Sequence, residues 1–144
     1  MIIRFATAED IEGILSLEAE CMPHPWSRPD IEALITDDKK FALSAEEDGR
    51  LTGYIGISYV LDEAEVGNIC VSGSYRRRGI ARSLIEEAKE MLYERDVIRI
   101  FLEVESDNSG AISLYEKCGF IRYSDRKDYY GAGRDALLYR FDRN

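Results

Sequence analysis

Four arginines, Arg76, Arg77, Arg78 and Arg82, fall within seven positions of a chain whose formal charge is −9. They belong to the run Ser72-Gly73-Ser74-Tyr75-Arg76-Arg77-Arg78-Gly79-Ile80-Ala81-Arg82, where a strand-like stretch ends and helical periodicity begins at a glycine and a small residue. A helix N-terminus carries unpaired backbone N–H groups and the positive end of the macrodipole, and Gly79 and Ala81 leave that backbone open to close approach. The chemistry these residues suit is the holding of a phosphate-type anion. A solvated basic loop, or a patch for a partner or for RNA, accounts for the same residue types. There is neither a Walker lysine motif nor a G-x-G-x-x-G to name a nucleotide.

Glu103 falls on the polar side of an alternating run, flanked there by Phe101 and Glu105. A carboxylate beside an aromatic ring can be partly desolvated and serve as a base near neutral pH, although two ordinary surface carboxylates fit the same pattern. Tyr115, in Leu114-Tyr115-Glu116-Lys117, is either a general acid or a tyrosine anchoring a short helix to a sheet. His24 lies between two prolines and reads as a corner residue. A thiol nucleophile paired with it has no support in the spacing. Cys21, Cys70 and Cys118 are spread widely, with no C-x-x-C pair and no nearby histidine, so they read as buried small hydrophobes and no metal site is expected.

These residues need elements to hold them. Thr7 with Asp10 signals a helix start, and Ile11, Ile14, Leu15 and Cys21 place a first helix at about Glu9 to Met22. Pro23-His24-Pro25-Trp26 forms a rigid corner, after which Ser27, Pro29 and Asp30 open a second helix carrying Ile31, Leu34 and Ile35. Phe41 to Glu46 and Leu51 to Leu61 flank an Asp48-Gly49 turn and read as an antiparallel hairpin. A strand follows at about Glu65 to Val71. From Gly79 a single apolar stripe, Ile80, Ala81, Leu84, Ile85, Ala88, Met91 and Leu92, describes a long amphipathic helix. Ile98, Ile100, Leu102 and Val104 alternate with Arg99, Phe101, Glu103 and Glu105 as a strand. Asn108 caps a short helix that Gly119 ends, and a last strand runs at Ala136 to Phe141. The order implies a right-handed strand-helix-strand crossover within a mixed sheet, hence an α/β (α+β) fold.

The 144 residues, 45% apolar and 33% charged, describe one soluble domain over 1–144. A chain of this length buries roughly two thirds of its unfolded surface and needs no disulfide or metal staple. No run approaches the length of a membrane-spanning helix, and Glu9 and Asp10 interrupt the place where a signal peptide would continue. A cytoplasmic protein without a membrane partner is expected. The excess of 28 acidic over 19 basic residues argues against general nucleic-acid binding.

Taken together, these residues resemble the Gcn5-related N-acetyltransferase superfamily over nearly the whole chain. Arg76-Arg77-Arg78-Gly79-Ile80-Ala81 matches its R/Q-x-x-G-x-G/A acetyl-CoA motif. Asn108 to Phe120, N-S-G-A-I-S-L-Y-E-K-C-G-F, is similar to its N-x-x-A-x-x-L-Y-x-x-x-G-F segment. Within the superfamily, His24-Pro25-Trp26-Ser27, Asp62-Glu63-Ala64, Asn68-Ile69, Leu102-Glu103-Val104 and Tyr129-Tyr130 resemble the bacterial ribosomal-protein-alanine N-acetyltransferases. The resemblance implies a mostly antiparallel sheet of six to seven strands flanked by about four helices, and acetyl-CoA as co-substrate. It implies that the backbone of Ile69, Cys70 and Val71 holds the pantetheine and that the loop at Arg76, Arg77, Arg78, Gly79, Ile80, Ala81 and Arg82 holds the pyrophosphate. It further implies that Asn108 contacts the cofactor, with Glu103 as general base and Tyr115 as general acid. The aromatic faces of Trp26, Tyr129 and Tyr130, as walls of a backbone groove, favour a protein or peptide N-terminus as acceptor, against the reading that they are simply core. A small-amine acetyltransferase and a non-catalytic acyl-CoA binder remain the alternatives. Two departures stand out. Ser72-Gly73 replaces the Asp-Pro common among relatives, and the Tyr130 to Asp135 loop is short and glycine-rich.

Overall fold

The computed structural model describes residues 1–143. Seven strands, β1 (Ile2–Phe5), β2 (Lys40–Glu47), β3 (Arg50–Val60), β4 (Glu63–Val71), β5 (Arg99–Glu105), β6 (Ile121–Arg126) and β7 (Ala136–Asp142), form one sheet in the order β1-β2-β3-β4-β5-β7-β6. Every pairing is antiparallel except β4 with β5. The helices are α1 (Ile11–Cys21), α2 (Arg28–Thr36), α3 (Ile80–Tyr93) and α4 (Ser109–Lys117).

The helices divide between the two faces of the sheet because their apolar stripes do. Ile80, Leu84, Ile85, Ala88 and Leu92 of α3, with Tyr115 of α4 and Cys118 just after it, pack on Ile55, Ile57, Leu102 and Val104. Ile14 and Leu17 of α1 and Ile31 and Leu34 of α2 pack on Ala42, Tyr54 and Cys70 from the other side. Leu84 is fully buried, so truncating it to alanine would cost about 2–5 kcal/mol. Local chemistry sets the ends. Asp48 and Gly49, both at positive φ, make the two-residue turn between β2 and β3. The Ser27 side chain accepts from the Asp30 N–H at the start of α2, and Asn108 Oδ1 accepts from the Ala111 N–H at 3.2 Å at the start of α4. Gly119, at φ +90°, ends the chain's left-handed exit from α4.

Some boundaries differ from the pattern reading. The first helix splits into a 3₁₀ turn at Ala8–Asp10 and α1, with the Asp10 carboxylate accepting from Thr7 N–H and pairing with Arg4 at 2.7 Å. Ile98 is 43% exposed and precedes β5 rather than opening its buried face. Cys21 is only half-buried, unlike Cys70 and Cys118. Strands β1 and β6 have no counterpart among the runs read from periodicity. Both lie at sheet edges, and all six residues of β6 are exposed, so neither has a buried face to impose alternation.

Candidate functional site

The one parallel pairing is short. It joins Glu63, Ala64 and Glu65 to Arg99, Ile100 and Phe101 and then stops, while β4 runs on to Val71 and β5 to Glu105. Just past that point β4 carries an extra residue, since Gly56 pairs with Asn68 and Ile57 with Val66, leaving Gly67 as a bulge. The two strands part there, and a cleft of about 870 Å³ opens between them. A Cβ on Gly67 would lie 2.5 Å from the Trp26 indole, so the bulge accepts only glycine with Trp26 in place.

One end of the cleft is the arginine-rich loop. Arg77 at φ +65° and Gly79 at φ +77° flank Arg78, a backbone alternation that turns successive N–H groups into a concavity suited to an anion. The first N–H groups of α3 have no partner inside the helix and add to it. A Cβ at Gly79 would meet nothing within 4 Å, so glycine is needed there for its conformation and for access. The four arginines differ. Arg76 reaches back to the Val71 carbonyl at 3.2 Å and to Cys21 Sγ at 3.7 Å, and Arg78 pairs with Glu47 at 3.6 Å while stacking on Tyr75. Arg77 and Arg82 are exposed. Ile80 is buried in the core, so only its backbone is available to a ligand. Of the loop, Arg76 and Ala81 line the cleft itself, together with Ile69, Cys70 and Val71 from β4 and Asn108 from α4. The Cys70 side chain turns away to the α1 side, which leaves its backbone to the cleft. Asn108 Oδ1 is occupied by its helix cap, leaving the amide nitrogen as its donor.

Glu103 and Tyr115 both line the cleft, from β5 and α4. Tyr115 is 7% exposed, its ring packed 6.1 Å from that of Phe120. Its hydroxyl bonds to no protein group among the described residues, and no buried side-chain polar atom is left unpaired, so the oxygen opens to the cleft. Burial first, and then Tyr130, raises the Tyr115 phenol above its ordinary range. Tyr130 is pushed up to about 12, by burial and then by the Glu103 charge. Tyr129 is raised chiefly by its hydrogen bonding to Glu103, and Glu65 by burial and then by Glu103. Glu103 is thus the charge to which three neighbouring groups respond. Tyr129 and Tyr130 stack edge to face at 5.1 Å on the loop between β6 and β7. That loop is tied down by Arg134, which grips the Glu105 carboxylate through two nitrogens at 2.9 and 2.8 Å and the Tyr130 carbonyl at 3.2 Å.

Three site residues are absent from the pattern reading: Glu18, Arg134 and, as a side chain with a role, Asn68. Glu18 has no exposure at all, yet it is ionisable and lies four residues after Ile14 on the apolar face of α1. A charged residue inside an apolar stripe was the available signal. Its carboxylate accepts from Trp26 N–H at 2.8 Å, Tyr54 Oη at 2.5 Å, Asn68 Nδ2 at 3.1 and 2.9 Å, and Cys70 Sγ at 3.3 Å. No sequence pattern marks Arg134 or Asn68, because both act across the fold.

A model of the acetyltransferase (GNAT) family matches residues 11–120. The chain is 35% identical over 138 residues, 94% of its length and 91% of the relative's, to a Bacillus subtilis (strain 168) protein provisionally named a ribosomal protein bS18-alanine N-acetyltransferase. Its fold matches the crystal structure of the ribosomal-protein-S18-alanine N-acetyltransferase from Escherichia coli with a TM-score of 0.91 at 28% identity, covering 98% of this chain and 92% of that one. Arabidopsis thaliana NAA60 in complex with acetyl-CoA shares the fold at a TM-score of 0.88 and 19% identity, with 98% and 97% of the chains covered.

Proposed function

The chain belongs to the acetyltransferase (GNAT) family and is an acetyl-CoA-dependent N-acetyltransferase, and on that premise we propose that its acceptor is the α-amino group of a protein N-terminus, a ribosomal protein's alanine being the first candidate. The observation that carries the choice of acceptor is the likeness to the Bacillus subtilis and Escherichia coli proteins, which covers 94% and 98% of this chain. The residues at the cleft fit acetyl-CoA. The alternating backbone at Arg77 to Gly79 and the first turn of α3 supply N–H groups for its pyrophosphate, with Arg77 and Arg82 as nearby cations. Beyond Glu65 the side of β4 that faces β5 has no strand partner, so the backbone of Ile69, Cys70 and Val71 can pair with the amides of the pantetheine arm. The thioester supplies the activated acetyl group.

In this reading Glu103 takes the proton from the attacking amine and Tyr115 gives one to the departing sulfur. An α-ammonium has a reference pKa near 7.7–8.0 and a lysine ammonium near 10.4, so deprotonation at pH 7 costs about 1 against about 4.6 kcal/mol. A single carboxylate therefore suits an α-amine better than a lysine. Alignment of the two reactants in the cleft supplies up to roughly 7–11 kcal/mol, more than either proton transfer, which contributes roughly 10²- to 10⁴-fold. The three unpaired cysteines fit a reducing compartment and support a cytoplasmic place of action.

Release of CoA thiol, measured across peptides that vary at their first two residues, tests the assignment. Turnover should depend on the first residue and vanish when the α-amine is blocked. Turnover of small amines with no turnover of any peptide would instead assign the small-molecule reading.

A further inference from the structure

The acceptor side of the cleft contains an acceptor group that the mechanism above does not use. Asn68 follows the Gly67 bulge, and its side chain turns to the face that carries α1, Trp26 and Glu103 rather than to the α3 core. Its amide nitrogen donates to both oxygens of Glu18, at 3.1 and 2.9 Å. That carboxylate can only accept, so the Asn68 amide cannot be turned round without setting two acceptors against each other. Its Oδ1 therefore faces away from Glu18. It receives no hydrogen bond among the described residues, and no buried side-chain polar atom there lacks a partner, so this oxygen is open to the cleft that Asn68 lines.

Glu18 itself is saturated. Besides Asn68 it accepts from the Trp26 N–H, the Tyr54 hydroxyl and the Cys70 thiol, which fixes it between α1, β3 and β4. A fully buried carboxylate with this many donors is a rigid mount, and it holds Asn68 Oδ1 and the Trp26 corner in a fixed relation.

We infer that Asn68 is a specificity-determining residue whose Oδ1, aimed by Glu18, accepts a hydrogen bond from the first main-chain N–H of the acceptor peptide. The inference rests on the peptide reading above. It gives the enzyme a reason to prefer a peptide to a simple amine, because a primary amine without a following amide leaves that oxygen unpaired. Asn68 acts on the acceptor and makes no demand on acetyl-CoA, so its effect falls on one substrate.

The test compares a turned-over peptide with an analogue in which the first peptide bond is an ester, which lacks the N–H at nearly the same shape. Wild type should process the ester with a kcat/KM roughly 3- to 10-fold lower. Asn68→Ala should lose about the same factor on the amide peptide, mostly in KM, and should no longer distinguish amide from ester. Acetyl-CoA affinity, read by calorimetry, should stay unchanged. Should Asn68→Ala fail to fold, Asn68→Ser keeps a donor to Glu18 while its shorter side chain withdraws the oxygen from the cleft, and the same loss of discrimination is expected. Equal handling of amide and ester by wild type, or discrimination that persists in both variants, overturns the assignment. Absence of CoA release with every peptide overturns the peptide reading instead, and the inference falls with it by a separate result.

Discussion

Glu103→Gln offers the sharpest test of the proton inventory, because the surrounding groups leave few other acceptors. Tyr130, pushed up to about 12, and Tyr115 and Tyr129, also raised, keep their protons between pH 6 and about 9.5. In that window the acceptor side is bordered by the carboxyls of Glu103 and Glu65 and by His24, while the Glu105 carboxylate is held by Arg134. Glutamine keeps the shape of Glu103 and removes its basicity, so kcat/KM at pH 7 should fall roughly 10²- to 10⁴-fold. The variant then depends on amine that is already free in solution. With a reference pKa of 7.7–8.0, about one tenth to one sixth of an α-amine is free at pH 7 and more than nine tenths at pH 9. The deficit should therefore narrow roughly six- to tenfold across those two units, while acetyl-CoA affinity stays constant. Stopped-flow or plate measurements of thiol release at fixed acetyl-CoA over pH 6–9.5 read this out. Glu65→Gln is the control, with a profile that keeps the wild-type shape. An E103Q profile parallel to wild type, only displaced downward, would refute Glu103 as the acceptor. Ultraviolet titration adds an independent reading, since removal of the Glu103 charge should let Tyr129 ionise at lower pH than in wild type.

Tyr115→Phe keeps a ring that is buried against Phe120, so thermal stability should hold while turnover drops roughly 10²-fold or more; a fall in melting temperature without loss of turnover would make the residue an anchor only. Gly79→Val should fold, at a backbone cost of about 1–2 kcal/mol, since a Cβ there meets nothing, yet it should abolish calorimetric acetyl-CoA binding. Asp10 has its pKa lowered, by hydrogen bonding from Arg4 first, so its charged form stabilises the fold above the unfolded carboxylate range and that stabilisation is lost as pH falls through the folded value. Asp10→Asn should accordingly melt earlier than wild type at pH 7 and converge with it in strong acid, as followed by circular dichroism.

Much of this site is readable in the chain where a local rule ties residue type to backbone. Gly79 sits at positive φ at the start of α3, Asn108 caps α4, Ser27 caps α2 and Asp48-Gly49 turns the hairpin, and each of these follows from its own few neighbours. The alternation of Ile100, Leu102 and Val104 against Phe101, Glu103 and Glu105 likewise places Glu103 off the α3 core. What escapes such rules is whatever depends on a partner distant in sequence. Arg134 is defined by Glu105, 29 residues away, and Asn68 by Glu18, 50 residues away. Strand β6 is defined by β7 alone, since none of its side chains is buried. The need for glycine at the Gly67 bulge is invisible in composition, because it comes from the Trp26 ring pressed against that backbone.

The placement of these long-range contacts has a consequence for how the two substrates are controlled. The nest at Arg77 to Gly79 and the start of α3 lie with the α3 core, whereas Glu18, Asn68, Trp26 and the Arg134-tied loop lie on the α1 side. The β4–β5 gap is where the two sides meet, and Glu103 from β5 and Tyr115 from α4 border it with the carboxylate and phenol assigned to the proton transfers. Substitutions on the α3 side should therefore change acetyl-CoA affinity and leave the acceptor KM alone, and those around Glu18 should do the reverse. Only at Glu103 and Tyr115 should kcat fall with both affinities kept. That separation follows from the sheet's divergence beyond Glu65, since a β5 paired with β4 along its full length would close the gap between the two sides.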